Sequence, residues 1–377
     1  MKKSSSAFFL LCAVCFPLAA FADAGTPLIW ASALHLVFGN AFVGVFEGTL
    51  LASFFGVRKR RAIGAMILAN YFSAWVGGVF LNGCIVQALP LNLNNVRFFF
   101  WTMVVVTYLM TLVLEFPFVW LVFRGDPCRL GKAVRGSLLI QTVSYVVLFG
   151  VYWAASGTSL LSGTKIVQPS ALALPAEVVL YFISSKDGNV YATGLAQLEP
   201  RQVAELRSTN RNDRLLVRVS ATDSNSWDLI ALLVAEKRQE PMLVTIQKNF
   251  ATEAAPGWRA LTLGTSDEAD TWFNFGPVGR LGSAKRSAWE FRSGFWPVSG
   301  LSGAQTNTGA RAGFSFETPF GAWIVRNATL LPGDNVLFQF GNDQICAFDP
   351  LGRRIALVTQ GRGPVAVLHE STPVTAK

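Results

Sequence analysis

Apolar residues follow two regimes along this chain. Between Pro27 and Ala155 they form long runs interrupted by small basic clusters, and beyond Ser156 they come in short bursts between turn residues. The long runs lie at about 27–56, 62–89, 97–123 and 134–155. Each reaches the roughly 20 residues that a bilayer-crossing helix needs. The bursts include Val178 to Ser184, Leu215 to Val219, Leu229 to Val234, Leu243 to Ile246, Ala322 to Val325, Val336 to Phe340 and Ile355 to Val358. Between them stand turn signals such as Asp187-Gly188-Asn189, Pro256-Gly257, Pro332-Gly333-Asp334 and Gly361-Arg362-Gly363-Pro364. Short β-prone runs so punctuated predict an all-β domain.

The predicted fold class is therefore an α-helical transmembrane bundle of four spans followed by an all-β extracytoplasmic domain, propeller-like or a sandwich. Residues 1–22 read as a signal peptide, with Lys2 and Lys3 before an apolar core and Ala20-Phe21-Ala22 as the cleavage site. The bundle then covers 23–155, a Gly/Ser/Pro-containing linker 156–175, and the β-domain 176–377. A weak internal similarity, LYFISSKDGNVYATGL (180–195) against VLFQFGNDQICAFDPL (336–351), favours propeller blades.

Charge supplies the orientation. The formal net charge is +9, of which residues 1–164 contribute +7 from eleven Lys or Arg and four acids. Arg58-Lys59-Arg60-Arg61 joins the first two runs, and Arg124, Arg129, Lys132 and Arg135 flank the loop between the last two. The intervening loop, around Pro90 to Val96, is neutral. By the positive-inside rule the basic loops face the cytoplasm, which puts the β-domain outside it. The expected location is the bacterial inner membrane, with the C-terminal domain in the periplasm or outside. The basic balance thus reflects topology, and nucleic acid is excluded as a partner.

Two acids stand out inside the spans. Glu47 is eleven residues before Arg58, Asn70 nine after Arg61, Glu115 nine before Arg124 and Ser144 nine after Arg135. At 1.5 Å per residue all four lie about 14–16 Å from the basic loops, in one layer. Helical spacing also gives each span one polar or small stripe: Asn40, Gly44 and Glu47; Asn70, Ser73 and Gly77; Thr107, Thr111 and Glu115; Gln141, Ser144 or Tyr145, and Tyr152. Such stripes face the interior of a bundle. The candidate site is thus an intramembrane polar cluster of Glu47, Asn70, Ser73, Glu115 and Ser144, with a second polar layer at His35 and Asn82. Gly44 and Gly48 form a GxxxG pair that permits close helix approach.

Phe46-Glu47-Gly48, the stretch Ala69-Asn70-Tyr71-Phe72-Ser73-Ala74-Trp75-Val76-Gly77, and Leu114-Glu115-Phe116 together resemble a pattern in a broad group of uncharacterised bacterial multi-pass membrane proteins. There too a Glu in one span, an A-N-x-x-S-x-x-x-G stretch in the next and a Glu in the third succeed one another. The likeness covers about a third of the chain and implies no activity.

Two roles fit the glutamates. They form a proton- or cation-handling pair, since two carboxylates in low dielectric cannot both ionise freely. Alternatively they are protonated braces that hydrogen-bond Asn70, Ser73 or Ser144 and hold the helices together. Elsewhere the chemistry is sparse. His369 is the one histidine of the β-domain, and no G-x-S-x-G elbow or P-loop occurs. Ser162-Gly163-Thr164-Lys165 matches S-x-x-K without its partner motifs. Asp267-Glu268-Ala269-Asp270 lacks calcium-loop spacing, and Gly276 to Gly282 is spoiled as a nucleotide fingerprint by Pro277. Cys84, Cys128 and Cys346 form no disulfide framework or metal set.

No catalytic residue, metal or cofactor is assigned. The expected partners are the lipid bilayer and, at the β-domain, an envelope protein or a small ligand. The function expected is that of a membrane protein presenting a β-rich domain for binding, with an ion- or proton-handling transporter as the alternative. A periplasmic enzyme using Asp343 and Asp349 has no motif behind it.

Overall fold

The computed structural model describes residues 38–80, 91–155, 160–220, 226–234, 242–251, 280–281, 288–293, 300–318 and 321–368. They divide into a helical part and a part dominated by antiparallel strands.

The helical part holds α1 (Asn40–Phe55), α2 (Lys59–Phe80), α3 (Val96–Val122) and α4 (Arg129–Ala155). Gly56, at φ 68°, ends α1 in a left-handed turn whose N–H bonds the carbonyl of Ala52. The Asn92 side chain accepts the N–H groups of Asn94 and Asn95 and so folds the turn that starts α3. The GxxxG pair works within the bundle. A Cβ at Gly44 or Gly48 would come within 2.5 Å of the backbone of Ile67 or Ile63, so α1 and α2 meet at their main chains. Leu51, Met66, Val119, Phe123 and Ile140 fill the centre, where Phe55 and Phe123 stack edge to face.

The outside of this part is as greasy as the inside. Phe42, Phe54, Trp75, Phe98, Val113 and Val146 are all exposed. Among the described residues, Val96–Val122 and Arg129–Gly150 are long and apolar enough to cross a membrane. Four such helices were expected, and the other two fall short for local reasons. The described α1 has 16 residues, about 24 Å of helix. Its expected beginning lies outside the described residues, as do the signal peptide and residues 81–90. For its part, α2 opens on Lys59-Arg60-Arg61 and reaches the end of its described segment at Phe80.

The β-rich part contains β1 (Lys165–Val167), β2 (Val178–Ser184), β3 (Val190–Gly194), β4 (Arg201–Ala204), β5 (Arg214–Val219), β6 (Trp227–Leu233) and β7 (Met242–Ala251). There follow β8 (Arg280–Leu281), β9 (Trp289–Ser293), β10 (Gly300–Gln305), β11 (Arg311–Ser315), β12 (Glu317–Thr318) and β13 (Gly321–Ala322). The last four are β14 (Val325–Leu330), β15 (Val336–Phe340), β16 (Gln344–Asp349) and β17 (Arg354–Leu368). The largest sheet runs β14-β15-β16-β17-β2-β3-β4, with β1 added in parallel to β17. A three-stranded sheet β5-β6-β7 contributes Leu215, Val217, Leu229 and Ala231 to a core shared with Leu180, Leu337, Ala347 and Val358 of the large sheet. The opposite face of β15 and β16 presents Phe338, Phe340 and Phe348, against which Phe314 of β11 packs with ring centroids 5.0–5.4 Å apart.

This sheet does not close, so the propeller expectation is corrected. The two similar segments are not blades around an axis. They are the hairpins β2-β3 and β15-β16, placed on either side of β17 in one sheet. Residues 354–360 of β17 pair with β16, and residues 361–368 pair with β2. Gly361-Arg362-Gly363-Pro364, expected as a turn, is the irregularity inside that strand where it changes partner. A Cβ at Gly361 would strike the Phe182 ring at 2.5 Å, and one at Gly363 (φ 58°) the backbone of Arg214 at 2.5 Å. Glycine there admits β5 across the kink. The stretch expected as a linker also holds structure, since β1 lies within it.

Candidate functional site

Glu47 and Glu115 are fully buried, and each lies on a different helix of the bundle. The Asn70 side-chain amide uses both of its protons, donating one to Glu47 Oε2 at 2.6 Å and one to the carbonyl of Met66 at 2.9 Å. The second bond anchors the amide to its own helix, so the first is aimed rather than found by chance. One turn on, the Ser73 hydroxyl lies 2.6 Å from Glu115 Oε1 and 3.2 Å from the carbonyl of Asn70. Gln141 Nε2 donates to Glu115 Oε2 at 2.5 Å. All four helices therefore meet in one polar network: Glu47 from α1, Asn70 and Ser73 from α2, Glu115 from α3, Gln141 from α4.

The predicted cluster is thus brought together almost whole. Ser144 is buried beside Glu47 and interacts with its carboxyl, while its hydroxyl also lies 3.1 Å from the carbonyl of Gln141. The α4 partner of Glu115 is Gln141, which shares the Ser144 stripe. Asn40, predicted on the Glu47 face, is also buried. Between α3 and α4 the bundle continues with Thr111 bonded to Tyr145 at 2.9 Å and Tyr108 to Thr142 at 2.8 Å. His35 and Asn82, the expected second layer, lie outside the described residues.

The chemistry open to this network follows from its proton count. Ser73 has one hydroxyl proton and two acceptors in reach. With Glu115 ionised, Ser73 donates to it. With Glu115 protonated, the carboxyl proton turns to Ser73 and the serine proton turns to the Asn70 carbonyl. Both states keep the serine satisfied, so a proton can be added or removed without rebuilding the layer. Glu47 Oε1, by contrast, is buried and has no hydrogen-bond partner among the described residues. A buried carboxylate oxygen without a donor is costly, whereas the protonated group can itself donate.

Basic residues stay at the edge of the bundle. Lys132 pairs with Asp126 at 2.6 Å, Arg61 donates to the Leu121 carbonyl, and the Arg129 guanidinium sits 4.2 Å above the Trp120 ring.

Asp349 is held by Arg354 at 2.7 Å and accepts the Gly352 N–H. Asp343 is exposed at the other end of β16. The strand keeps them apart. Ser162 and Gly163 close a one-turn helix (Leu160–Gly163), Thr164 donates to the Leu160 carbonyl and Lys165 opens β1, so Ser162 does not stand at the start of a helix with Lys165 one turn on. Cys128 is exposed and Cys346 is buried in the core. Burial pushes the Cys346 thiol well up, which makes it unreactive. Cys84, His369, Asp267 to Asp270 and residues 276–279 lie outside the described residues; among the described residues no group of three or more His, Cys, Asp or Glu is placed to hold a metal ion. No family model, curated protein or solved structure matches this chain.

Proposed function

We propose that the chain is a multi-pass protein of the bacterial cytoplasmic membrane, crossing it four times and presenting its β-rich part outside the cytoplasm to bind a partner or ligand. The observation that carries this reading is the polarity of the helical part. Two carboxyl groups and their amide and hydroxyl partners lie at its centre, beneath an exposed surface of Phe, Trp, Val and Leu. In water such a surface is a liability, and in lipid it is the expected solvent-facing side. Intramembrane carboxyl groups are costly and face the bundle interior, as these do. The basic loops at residues 58–61 and 124–135 support cytoplasmic placement of that end.

The test is a set of reporter fusions at residues 57, 92, 126 and 170, read for activity on each side of the membrane. The reading requires 57 and 126 inside, and 92 and 170 outside. Any other pattern overturns the topology. Capture of the full chain in detergent with envelope extract, with unrelated membrane proteins as controls, tests the binding role. Absence of any specific companion removes its support.

A second reading is favoured by Ser73 and by Glu47 Oε1: the carboxyl layer takes up and releases a proton as part of ion or solute movement. Glu115→Gln and Glu47→Gln separate it from a bracing role. Variants that fold and retain full cellular function sink the ion-handling reading; variants that fold and lose function sustain it.

A further inference from the structure

The ligand-binding role assigned to the β-rich part gains a chemical class from Arg214. This residue opens β5 and is 3% exposed. None of its three side-chain nitrogens has a hydrogen-bond partner among the described residues. A guanidinium carries five N–H donors, and burying it without acceptors is strongly unfavourable. Burial pulls Arg214 down to about 10, with no acidic neighbour contributing, so it stays cationic at neutral pH.

Its neighbours include further arginines. Gly363 packs on the Arg214 backbone, and the Gly363 N–H donates to Gln339 Oε1 at 2.9 Å. Gln339 is in turn the register partner of Arg326. That chain of contacts brings Arg326 to Arg214, and the charges of Arg214 and exposed Arg211 both bear on Arg326. Three like charges thus run from the interior toward the surface.

Arg362, two residues from the Arg326–Gln339 ladder by way of Gly363, shows what a structural arginine looks like in the same fold. It is 8% exposed and donates to the Ser208 carbonyl at 2.7 Å and hydroxyl at 2.6 Å, with Asp213 and Asp343 near enough to offset its charge. Arg214 has none of this. The described residues supply no acceptor for it.

We propose that Arg214, assisted by Arg326 and Arg211, forms a binding site for an oxyanion of the phosphate or carboxylate class. The planar fork of Arg214 suits a bidentate oxyanion, and the two further arginines supply the charge that draws it in. The inference rests on the ligand-binding reading but commits to the ligand's headgroup.

Thermal unfolding of the full chain in detergent, at constant ionic strength, tests it with inorganic phosphate, with succinate and with chloride as control. A saturable rise in Tm of about 2 °C or more with phosphate or succinate, absent with chloride, is expected. A response to phosphate alone marks a phosphoryl ligand, and a response to succinate alone a carboxylate. Arg214→Met is expected to abolish the rise while leaving the ligand-free Tm unchanged or higher, because a lone buried cation is replaced by an apolar side chain. Arg362→Met is expected to lower Tm yet keep the anion-dependent rise. No rise in the native chain, or an undiminished rise in Arg214→Met, overturns the site. Either result leaves partner capture from envelope extract unaffected, so the two ideas fail separately.

Discussion

The helical part and the β-rich part bury charge-bearing groups by opposite means. In the helices, Glu47 and Glu115 are met by neutral donors from Asn70, Ser73 and Gln141, and each group can lower its own cost by holding a proton. In the strands, Arg214 has no such escape, because a guanidinium does not shed its proton near neutral pH. The first arrangement is complete within the chain, or nearly so. The second needs an anion from elsewhere. A buried acid surrounded by amides therefore fits either bracing or proton traffic, whereas a buried, unmatched arginine points outward to a ligand. The apolar residues divide the same way: Phe314 belongs to a dry core, while Phe98 lies on the outside of a helix.

That contrast can be broken first at the two phenylalanines. Phe314→Ala is expected to cost about 3–5 kcal/mol, since its ring packs on Phe338, Phe340 and Phe348. Phe98→Ala, at a position 69% exposed, should change stability by no more than about 0.5 kcal/mol. Denaturant unfolding of both variants in detergent measures the difference; equal costs would erase the inside-out distinction. Next in size is Gly48→Leu, which drives a side chain into the Ile63 backbone and is expected to cost about 3 kcal/mol or to abolish folding. Helix content and detergent-resistant folding report it, and a native-like variant would mean that α1 and α2 do not touch there.

The carboxyl layer gives a graded pair. Glu115→Leu strands the Ser73 and Gln141 donors and should cost about 2 kcal/mol, while Glu115→Gln keeps an acceptor oxygen and should cost under about 1 kcal/mol. Unfolding of the two side by side decides whether hydrogen bonding or mere volume matters at residue 115. The smallest effect is expected at Asp343. Although the residue as a whole is exposed, partial desolvation of its carboxyl raises it above the usual range, with Arg362 opposing, so the folded chain binds that proton more readily than the unfolded one. Its contribution is then most favourable below the unfolded value of about 3.9 and is lost as pH rises through the folded value. Asp343→Asn should therefore be slightly more stable than the native chain at pH 7, with the gap closing toward pH 4. A gap that widens on acidification reverses the sign of the argument.

Much of the carboxyl layer was legible because two local rules agree. Counting from basic loops set the depth of Glu47, Asn70, Glu115 and Ser144, and helical spacing set their direction. Close approach at Gly44 and Gly48 followed from residue size alone. Which α4 side chain would reach Glu115 was not legible, since Gln141 and Ser144 share one stripe and differ only in reach. The strands Val178 to Ser184 and Val336 to Phe340 match the structure because alternation and flanking turns are local signals. Their common neighbour was hidden, because pairing between β2 and β17 joins residues far apart in sequence. Gly361 and Gly363 misled for a related reason: glycine serves a tight crossing as readily as a turn. Arg214 gave no signal either, as an arginine at the head of an apolar strand reads as a solvated flank.

The position of β17 also bears on how the β-rich part comes to be. It is the last described strand in chain order, yet it sits in the middle of the large sheet. As the chain emerges, β2-β3 and β15-β16 can each zip locally, since hairpins form from near neighbours. Each is left with an open edge until residues 354–368 arrive to fill both. Contacts of such long sequence separation form slowly, and open edges invite pairing with other chains. Assembly of this part is therefore gated by β17, and the interval before that strand docks is when the growing molecule is most exposed to aggregation.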